Sequence, residues 1–337
     1  MWSLFLGRLM KIFHKFSGIV YGILIASCVS IIVLVFQSLF VIDLLVGWGF
    51  RGVILIEKDN KVIFRKSTLK QYNPQFFCAS LVKQITSTLI LKELEKNTLR
   101  LNDKANKYLN ESQKISDNIE IQHLLSHCSG LQSDNSTKFP ASSHYEYSNQ
   151  GYVILGMILE NITKTSFSDL AQNLFTKLNM KDSFLIDAPN LREIKQKHPC
   201  FVLSEKAKTT RFVYKKQDGK LFFPRNSCGG LISTAEDLSR WNNLLHEEKI
   251  LSHDIYRSMI APQIKANFPE GYYGYGICRY SQRETYHIGY ACGYKSTMSY
   301  FPKSKISLVI LENYACNNYE KDFRKHRWIR WLVRYFL

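Results

Sequence analysis

No two cysteines in the chain stand at a C-x-x-C spacing, and no H-E-x-x-H signature occurs, so zinc-finger, zinc-protease and thioredoxin-type readings have no support. The eight cysteines are scattered singly. Cys28 lies in an apolar N-terminal run, and Cys78, Cys128, Cys200, Cys228, Cys278, Cys292 and Cys316 follow it, an odd number that cannot all pair internally. Each is read as a small buried hydrophobe. Acidic residues are short as well: 28 against 45 Lys and Arg, for a net charge of +17. That balance favours anionic partners such as lipid headgroups or cell-wall polymers, and with no nucleic-acid motif present nucleic acid is not an expected partner. Internal repeats and low-complexity stretches are also missing. What is there is 337 residues, 45% hydrophobic and 13% aromatic, enough to bury the core of one enzyme-sized domain.

Charge is absent altogether from Phe16 to Ile42, a run long enough to cross a bilayer with some tilt. Arg8, Lys11 and Lys15 precede it and Asp43 follows. The positive-inside rule then predicts a cytoplasmic N-terminus over 1–15, a transmembrane anchor over 16–42, and a domain over 50–337 outside the cytoplasm, periplasmic or at the cell surface. A cleaved signal peptide is disfavoured because no small-x-small site followed by polar sequence ends the run. The "IASC" before Val29 resembles a lipobox that would lipidate Cys28, but the apolar sequence continues past it to Ile42.

Beyond the anchor, two β-branched runs, Gly52 to Glu57 and Lys61 to Arg65, flank the turn signal Lys58-Asp59-Asn60 and predict a hairpin. Helical periodicity runs from Ser80 to Leu99, through "LNDKANKYL" and "NIEIQHLLSHCSG", and through "GYVILGMILENIT" and "FSDLAQNLFTKLNM". A polar basic segment leads to "SCGGLISTAEDLSRW", where Ser233 or Thr234 can cap a helix from Ala235. The last hundred residues or so return to strands, "YGYGICRY", "ETYHIGY", "YKSTMSYFP" and "ISLVILENY", closed by a helix near Asp322 to Phe336. Strands at both ends with helices between predict an α+β fold: an antiparallel sheet flanked by helices, whose first hairpin joins the C-terminal strands, plus a mostly helical lobe. The helical lobe is placed at about 84–225 and the sheet lobe at 50–83 and 226–337.

Three short motifs carry chemistry. Ser80 and Lys83 lie three residues apart, so a helix beginning near Ala79 would put hydroxyl and amine on one face. Alone, this spacing is commonplace. In "YEYSNQGY", Tyr147 and Asn149 precede an apolar helix, where the phenol can relay a proton to or from Ser80 and the amide can hold Lys83 and a substrate carbonyl. In "YHIGYACGY", His287 can face a cleft and Gly289 can let a substrate backbone lie against the strand.

In this order "SLVK", "YSN" and "HIG" resemble the S-x-x-K, Y-x-N and K-T-G or H-x-G motifs of the penicillin-recognising serine hydrolases: class C β-lactamases, D-alanyl-D-alanine carboxypeptidases, and related esterases. "LRLNDKANKYL", "IEIQHLLSHCSGL" and "GGLISTAEDLSRW" are similar to supporting stretches of the family, and the resemblance covers roughly 52–317. It implies a β-lactamase/transpeptidase-like fold. It also implies Ser80 as nucleophile of an acyl-enzyme, Lys83 and Tyr147 as its proton-handling partners, and the backbone N–H groups of Ser80 and Tyr290 as oxyanion hole. Asn149, His287 and Gly289 would contact substrate. No metal and no cofactor are expected; the expected partners are a small-molecule or peptide substrate and the membrane.

Departures bear on substrate. His287 stands where K-T-G has lysine, so near neutral pH it would be largely uncharged, favouring esters, amides or peptides over penicillin-like acids. Lys295 is a candidate to restore the charge. The Leu131 to Tyr147 interval is short for the family the motifs resemble, and no Pro-Gly precedes Tyr147. His123 and His127, at i and i+4, have zinc-binding spacing, but their stretch matches a structural one of the family. On the last helix, Trp328, Trp331, Leu332 and Tyr335 are assigned to one face and Arg327, Arg330 and Arg334 to another, a helix that packs on the sheet or lies at a membrane interface. The alternative to an enzyme is a non-catalytic envelope- or membrane-binding homologue of the same fold.

Overall fold

The computed structural model describes residues 37–47, 49–186, 191–199, 201–204, 214–215, 221–222, 226–267, 271–316 and 318–337. The anchor expectation therefore lies outside the described residues as far as 36, as do Cys28 and Cys200; residues 37–47 are helical. Among the described residues no helix is long and apolar enough to cross a membrane.

The predicted hairpin is present as β1 (Gly52–Lys58) and β2 (Lys61–Ser67), and Asp59 and Asn60 take the left-handed conformation that their short polar side chains tolerate. β1 pairs antiparallel with β13 (Ile306–Glu312), from Gly52↔Glu312 to Lys58↔Ile306, so the two ends of the chain share one sheet. Five more strands complete it: β8 (Ile264–Ala266), β9 (Gly271–Tyr273), β10 (Cys278–Ser281), β11 (Glu284–Ala291) and β12 (Tyr294–Phe301). The spatial order is β2-β1-β13-β12-β11-β10-β9-β8. "YGYGICRY", read as one strand, belongs to β9 and β10, with a turn at Gly274–Ile277 in which Gly276 has φ +76°. A second small sheet, β3 (Phe76–Ala79), β7 (Leu231–Ser233) and β4 (Phe184–Leu185), lies in the order β3-β7-β4; β5 (Tyr214–Lys215) and β6 (Leu221–Phe222) form a separate ladder.

β13 reads ISLVILE, an apolar run rather than an alternation, because both its faces are covered. Val53, Leu55, Met298, Val309 and Leu311 point into the main core, with the helices. Ile54, Ile56, Leu308 and Ile310 point the other way, where the C-terminal helix Tyr319–Phe336 covers them with Ile329, Leu332 and Val333, and residues 37–47 add Ile42 and Val46. At the centre of the main core runs the helix Val82–Glu95, buried without interruption from Val82 to Leu91. Three of its buried polar positions are matched: Gln84 accepts from Trp241 Nε1 at 3.0 Å, Thr86 donates to the Ser227 carbonyl at 2.6 Å, and Ser87 pairs with Tyr152 at 3.1 Å. Thr234, rather than Ser233, caps the helix Ala235–His246 by accepting from Asp237 N.

The face assignment on the C-terminal helix is corrected. Leu332 turns inward with Ile329 and Val333, and Arg330 and Arg334 also turn inward, onto Glu284 of β11. The fully buried Glu284 carboxylate accepts from Arg330 Nε at 2.5 Å and from Arg334 Nε at 2.8 Å, which fixes the rotation of the helix and leaves Trp328, Trp331 and Tyr335 outside. Removing one member of such a buried cluster strands the others. Glu284→Ala is expected to lower unfolding free energy by about 3–5 kcal/mol in denaturant titrations. Arg65→Ala, at the surface pair with Glu236, should cost less than about 1 kcal/mol.

Candidate active site

β3 ends at Ala79 with φ +46°, a left-handed alanine, and the chain then folds directly into the central helix. Leu81 N donates to Cys78 O at 3.2 Å and Lys83 N to Ser80 O at 3.0 Å, so Ser80 sits on a strained strand-to-helix turn just outside the first helical residue. The predicted start near Ala79 is two to three residues early for the same reason. Ser80 is half-buried and Lys83 wholly buried.

The three N–H donors of a lysine ammonium are all used here. Lys83 Nζ reaches Ser80 Oγ at 3.2 Å, Asn149 Oδ1 at 2.8 Å and the Cys228 carbonyl at 2.5 Å. None of the three partners is charged. Burial therefore dominates and lowers the Lys83 pKa to about 8, with Cys228 opposing in part. Lys83 also lies 4.8 Å from the centre of the Tyr147 ring. Burial raises the Tyr147 phenol well above its usual value, opposed by its hydrogen bond with Ser80. Of the two groups flanking Ser80, the amine is the one that can shed a proton near neutral pH.

The loop bearing Tyr147 and Asn149 is held by the "SHCSGL" stretch. The His127 ring lies against Tyr147 with centres 4.2 Å apart, His127 Nδ1 accepts from Ser148 N at 3.2 Å, and the His127 carbonyl accepts from Glu146 N at 2.9 Å. Ser148 donates to Leu131 O and caps the helix Asn149–Thr163 by accepting from Gly151 N. His123 is occupied separately: its Nδ1 accepts from Glu120 N and its Nε2 pairs with Ser142 at 2.7 Å. Both histidines thus have structural partners rather than a common metal position, and no cluster of three metal-ligating side chains is found among the described residues.

Residues 48–330 match the Beta-lactamase family. The chain belongs to that family. Among curated relatives, protein flp of Staphylococcus aureus (strain N315) is 23% identical over 302 residues, covering 79% of this chain and 56% of its own. The chain thus spans about half the length of the curated relatives it matches. Among solved structures, a penicillin-binding protein from Bacillus halodurans aligns with a TM-score of 0.71 at 19% identity, over 86% of this chain and 98% of that one. The D-amino acid amidase of Ochrobactrum anthropi SV3 gives 0.68 at 19% over 88% and 98%, and FmtA of S. aureus 0.67 at 18% over 86% and 88%. These likenesses establish the β-lactamase-type α+β fold.

Within that fold the third motif departs from expectation. Gly289 is glycine because a Cβ there would stand 2.1 Å from the Cys78 carbonyl and 2.4 Å from Ser296 Oγ, so the space on its inward side is filled by β3, the strand that leads into Ser80. His287 is 1% exposed, its Nε2 paired with Tyr273 Oη at 3.0 Å and its Nδ1 with the Ile288 carbonyl at 2.9 Å. Burial, then the nearby Lys83 charge, lowers its pKa to about 3. It is a neutral wall of the site beneath Tyr273 and offers no charge to a substrate. Lys295 does not replace that charge, since it lies on the opposite face of the sheet against Glu312 at 2.8 Å and the Asp322 carbonyl at 3.0 Å. Tyr290 likewise sends its side chain outward, donating to Asp322 at 2.7 Å, while its backbone sits on the β11 stretch beyond Tyr286, where pairing with β10 has ended. His127 has the structural role its stretch implied, whereas Tyr273 and the Cys228 carbonyl escaped the motif reading. The residue before the Gly229-Gly230 pair was the only local signal for either of them.

If Lys83 receives the Ser80 proton, it must be neutral, and the neutral fraction rises with pH through about 8. Acylation of Ser80 by a fluorophosphonate is therefore expected to climb tenfold per pH unit below that value and level off above it. Lys83→Met should remove the ionisation and slow acylation by roughly 10²–10⁴-fold, measured by stopped-time intact-mass analysis.

Proposed function

We propose that the protein is a membrane-anchored serine hydrolase that forms an acyl-enzyme on Ser80. One observation carries this reading: a buried lysine with no acidic partner spends one of its hydrogen bonds on a serine hydroxyl at a strained turn. Neutral Lys83 takes the proton of Ser80 Oγ as the oxygen attacks a carbonyl carbon. The developing oxyanion is met by the N–H groups of Ser80 and Tyr290. Tyr147, protonated at rest, passes its proton to the leaving nitrogen or oxygen as it regains one from Lys83. Water then repeats the attack on the ester and frees the acid. Asn149 holds both Lys83 and the substrate amide. No step calls for a metal or cofactor.

The substrate class follows from the absence of a cationic anchor at His287. Neutral amides, esters and peptides fit, and the likeness to proteins described as a penicillin-binding protein and a D-amino acid amidase supports D-amino-acid compounds of the envelope. The uncharged run Phe16–Ile42 supports a single span with the catalytic domain outside the cytoplasm.

The test is covalent. Incubation with a fluorophosphonate and, separately, with penicillin is expected to give an adduct on Ser80 with the first reagent and little with the second, and none in Ser80→Ala. D-phenylalanine amide should be turned over faster than penicillin. Absence of an adduct with both reagents would identify a non-catalytic homologue of the fold.

A further inference from the structure

We infer that the outward face of the C-terminal helix docks on an anionic lipid surface, laying the domain against the membrane beside its own anchor. Arg324, Trp328, Trp331 and Tyr335 follow one another at i, i+4, i+7 and i+11, a single stripe of Tyr319–Phe336, and all four are exposed. Trp328 is 54%, Trp331 41% and Tyr335 49% accessible. The two indoles touch edge to face and Trp331 packs on Tyr335, so the aromatics form one patch rather than scattered side chains. Beside the patch is a groove of about 810 Å³ lined by Tyr280, Tyr319, Arg324, Arg327, Trp328 and Trp331.

Charge and chain path name the occupant. Arg330 and Arg334 are consumed by Glu284, whereas Arg324 and Arg327 stand at the surface, with Lys321 one turn earlier; Glu320 is the acidic residue of this face. Indoles bordered by guanidinium groups match the headgroup zone of an anionic leaflet, where rings bury and cations meet phosphate. Independently, the uncharged run that begins at Phe16 ends in the helical residues 37–47, and Ile42 and Val46 share one apolar cluster with Ile329, Leu332 and Val333 of the same C-terminal helix. The chain therefore enters the domain against the inward side of the same helix that carries the stripe. An anchor there brings lipid to the aromatic face at an effective concentration set by a short tether.

The inference rests on the anchor of the proposed function but not on what Ser80 attacks. The full chain is reconstituted into vesicles of phosphatidylcholine with or without phosphatidylglycerol, each with brominated acyl chains, and tryptophan quenching is compared between wild type and Trp328→Phe/Trp331→Phe. Fluorophosphonate labelling of Ser80 in the same samples reports separately on the site. The expected result is a quenching component that is several-fold larger with phosphatidylglycerol, is lost in the double variant, and loses its lipid preference in Arg324→Glu/Arg327→Glu, with labelling unchanged. Equal quenching of wild type and Trp328→Phe/Trp331→Phe overturns the inference, as does quenching indifferent to lipid charge. Failure to associate with vesicles overturns docking and anchor together. Tight binding of soluble polyphosphate without lipid quenching would make the face a polyanion site instead.

Discussion

A lysine amine carried into the core with no carboxylate beside it among the described residues is the constraint round which this structure is arranged. An ammonium in that position loses its hydration, and neutral dipoles restore only part of it. The three dipoles come from three distant segments: Ser80 at the β3 turn, Asn149 at the start of its helix, and the Cys228 carbonyl from the Asn226–Gly229 helix. Each is fixed by its neighbours. A Cβ at Gly230 would strike Asn226 Oδ1 at 2.3 Å, and the neighbouring Ser227 carbonyl is tied to Thr86 on the central helix. The Asn149 end is capped through Ser148, which His127 holds in turn. Lys83 thus converts the helical lobe and the sheet into one unit, and its depressed pKa is the chemical return on a position that weakens folding.

The sheet divides charge between its faces. On the outer face buried ions of the described residues are matched, Lys295 with Glu312 and Glu284 with Arg330 and Arg334, while His326, its pKa lowered by burial, sits between Thr297 and Glu312. On the inner face, near Ser80, the buried titratable groups are tyrosines and histidines held neutral by burial, with Lys83 the basic group among them. β11 serves both faces, offering Glu284 and Tyr290 outward and His287 and Gly289 inward, so the ion network that grips the C-terminal helix also holds the strand bearing the proposed oxyanion donor, the Tyr290 amide. Low-dielectric surroundings on the inner face make the few remaining dipoles count for more at the reacting carbonyl.

How much of this was legible depended on whether the cause was local. Ser80 with Lys83, and Tyr147 with Asn149, were readable because a fixed spacing on a helix start and a loop is what the chemistry requires. The hairpin and the late strands were readable from β-branched runs and turn residues. Lys295 was decided by strand parity: it pairs with Tyr290, an outward residue, whereas Ser296 opposite Gly289 points in. His287 was decided by Tyr273, 14 residues away on a different strand, and Gly289 by a carbonyl more than two hundred residues earlier in the chain. The C-terminal helix was misread because helical periodicity ranks arginine as outward, and only the buried Glu284 reverses that ranking. Long-range partners, invisible to a window of sequence, account for each miss.

The neutral inner face also bears on the substrates proposed for the site. Protonated Lys83 repels charge on His127 and His287, which is part of why both remain neutral, so near pH 7 the cluster carries a single proton's worth of charge and that charge sits on the amine. A substrate carboxylate entering the site would meet this ammonium beside Ser80. Binding there would favour the ammonium form and push the Lys83 pKa back up, deepening the resting state and withdrawing the base from Ser80. A neutral ester or amide leaves the amine free to lose its proton. In a site with a separate cationic anchor, as a lysine at position 287 would provide, the carboxylate would be held away from the base and the conflict would not arise. On the proposed mechanism, a buried His287–Tyr273 pair in place of a lysine would select against acids through the proton affinity of Lys83, with no need for a steric barrier at the mouth of the site.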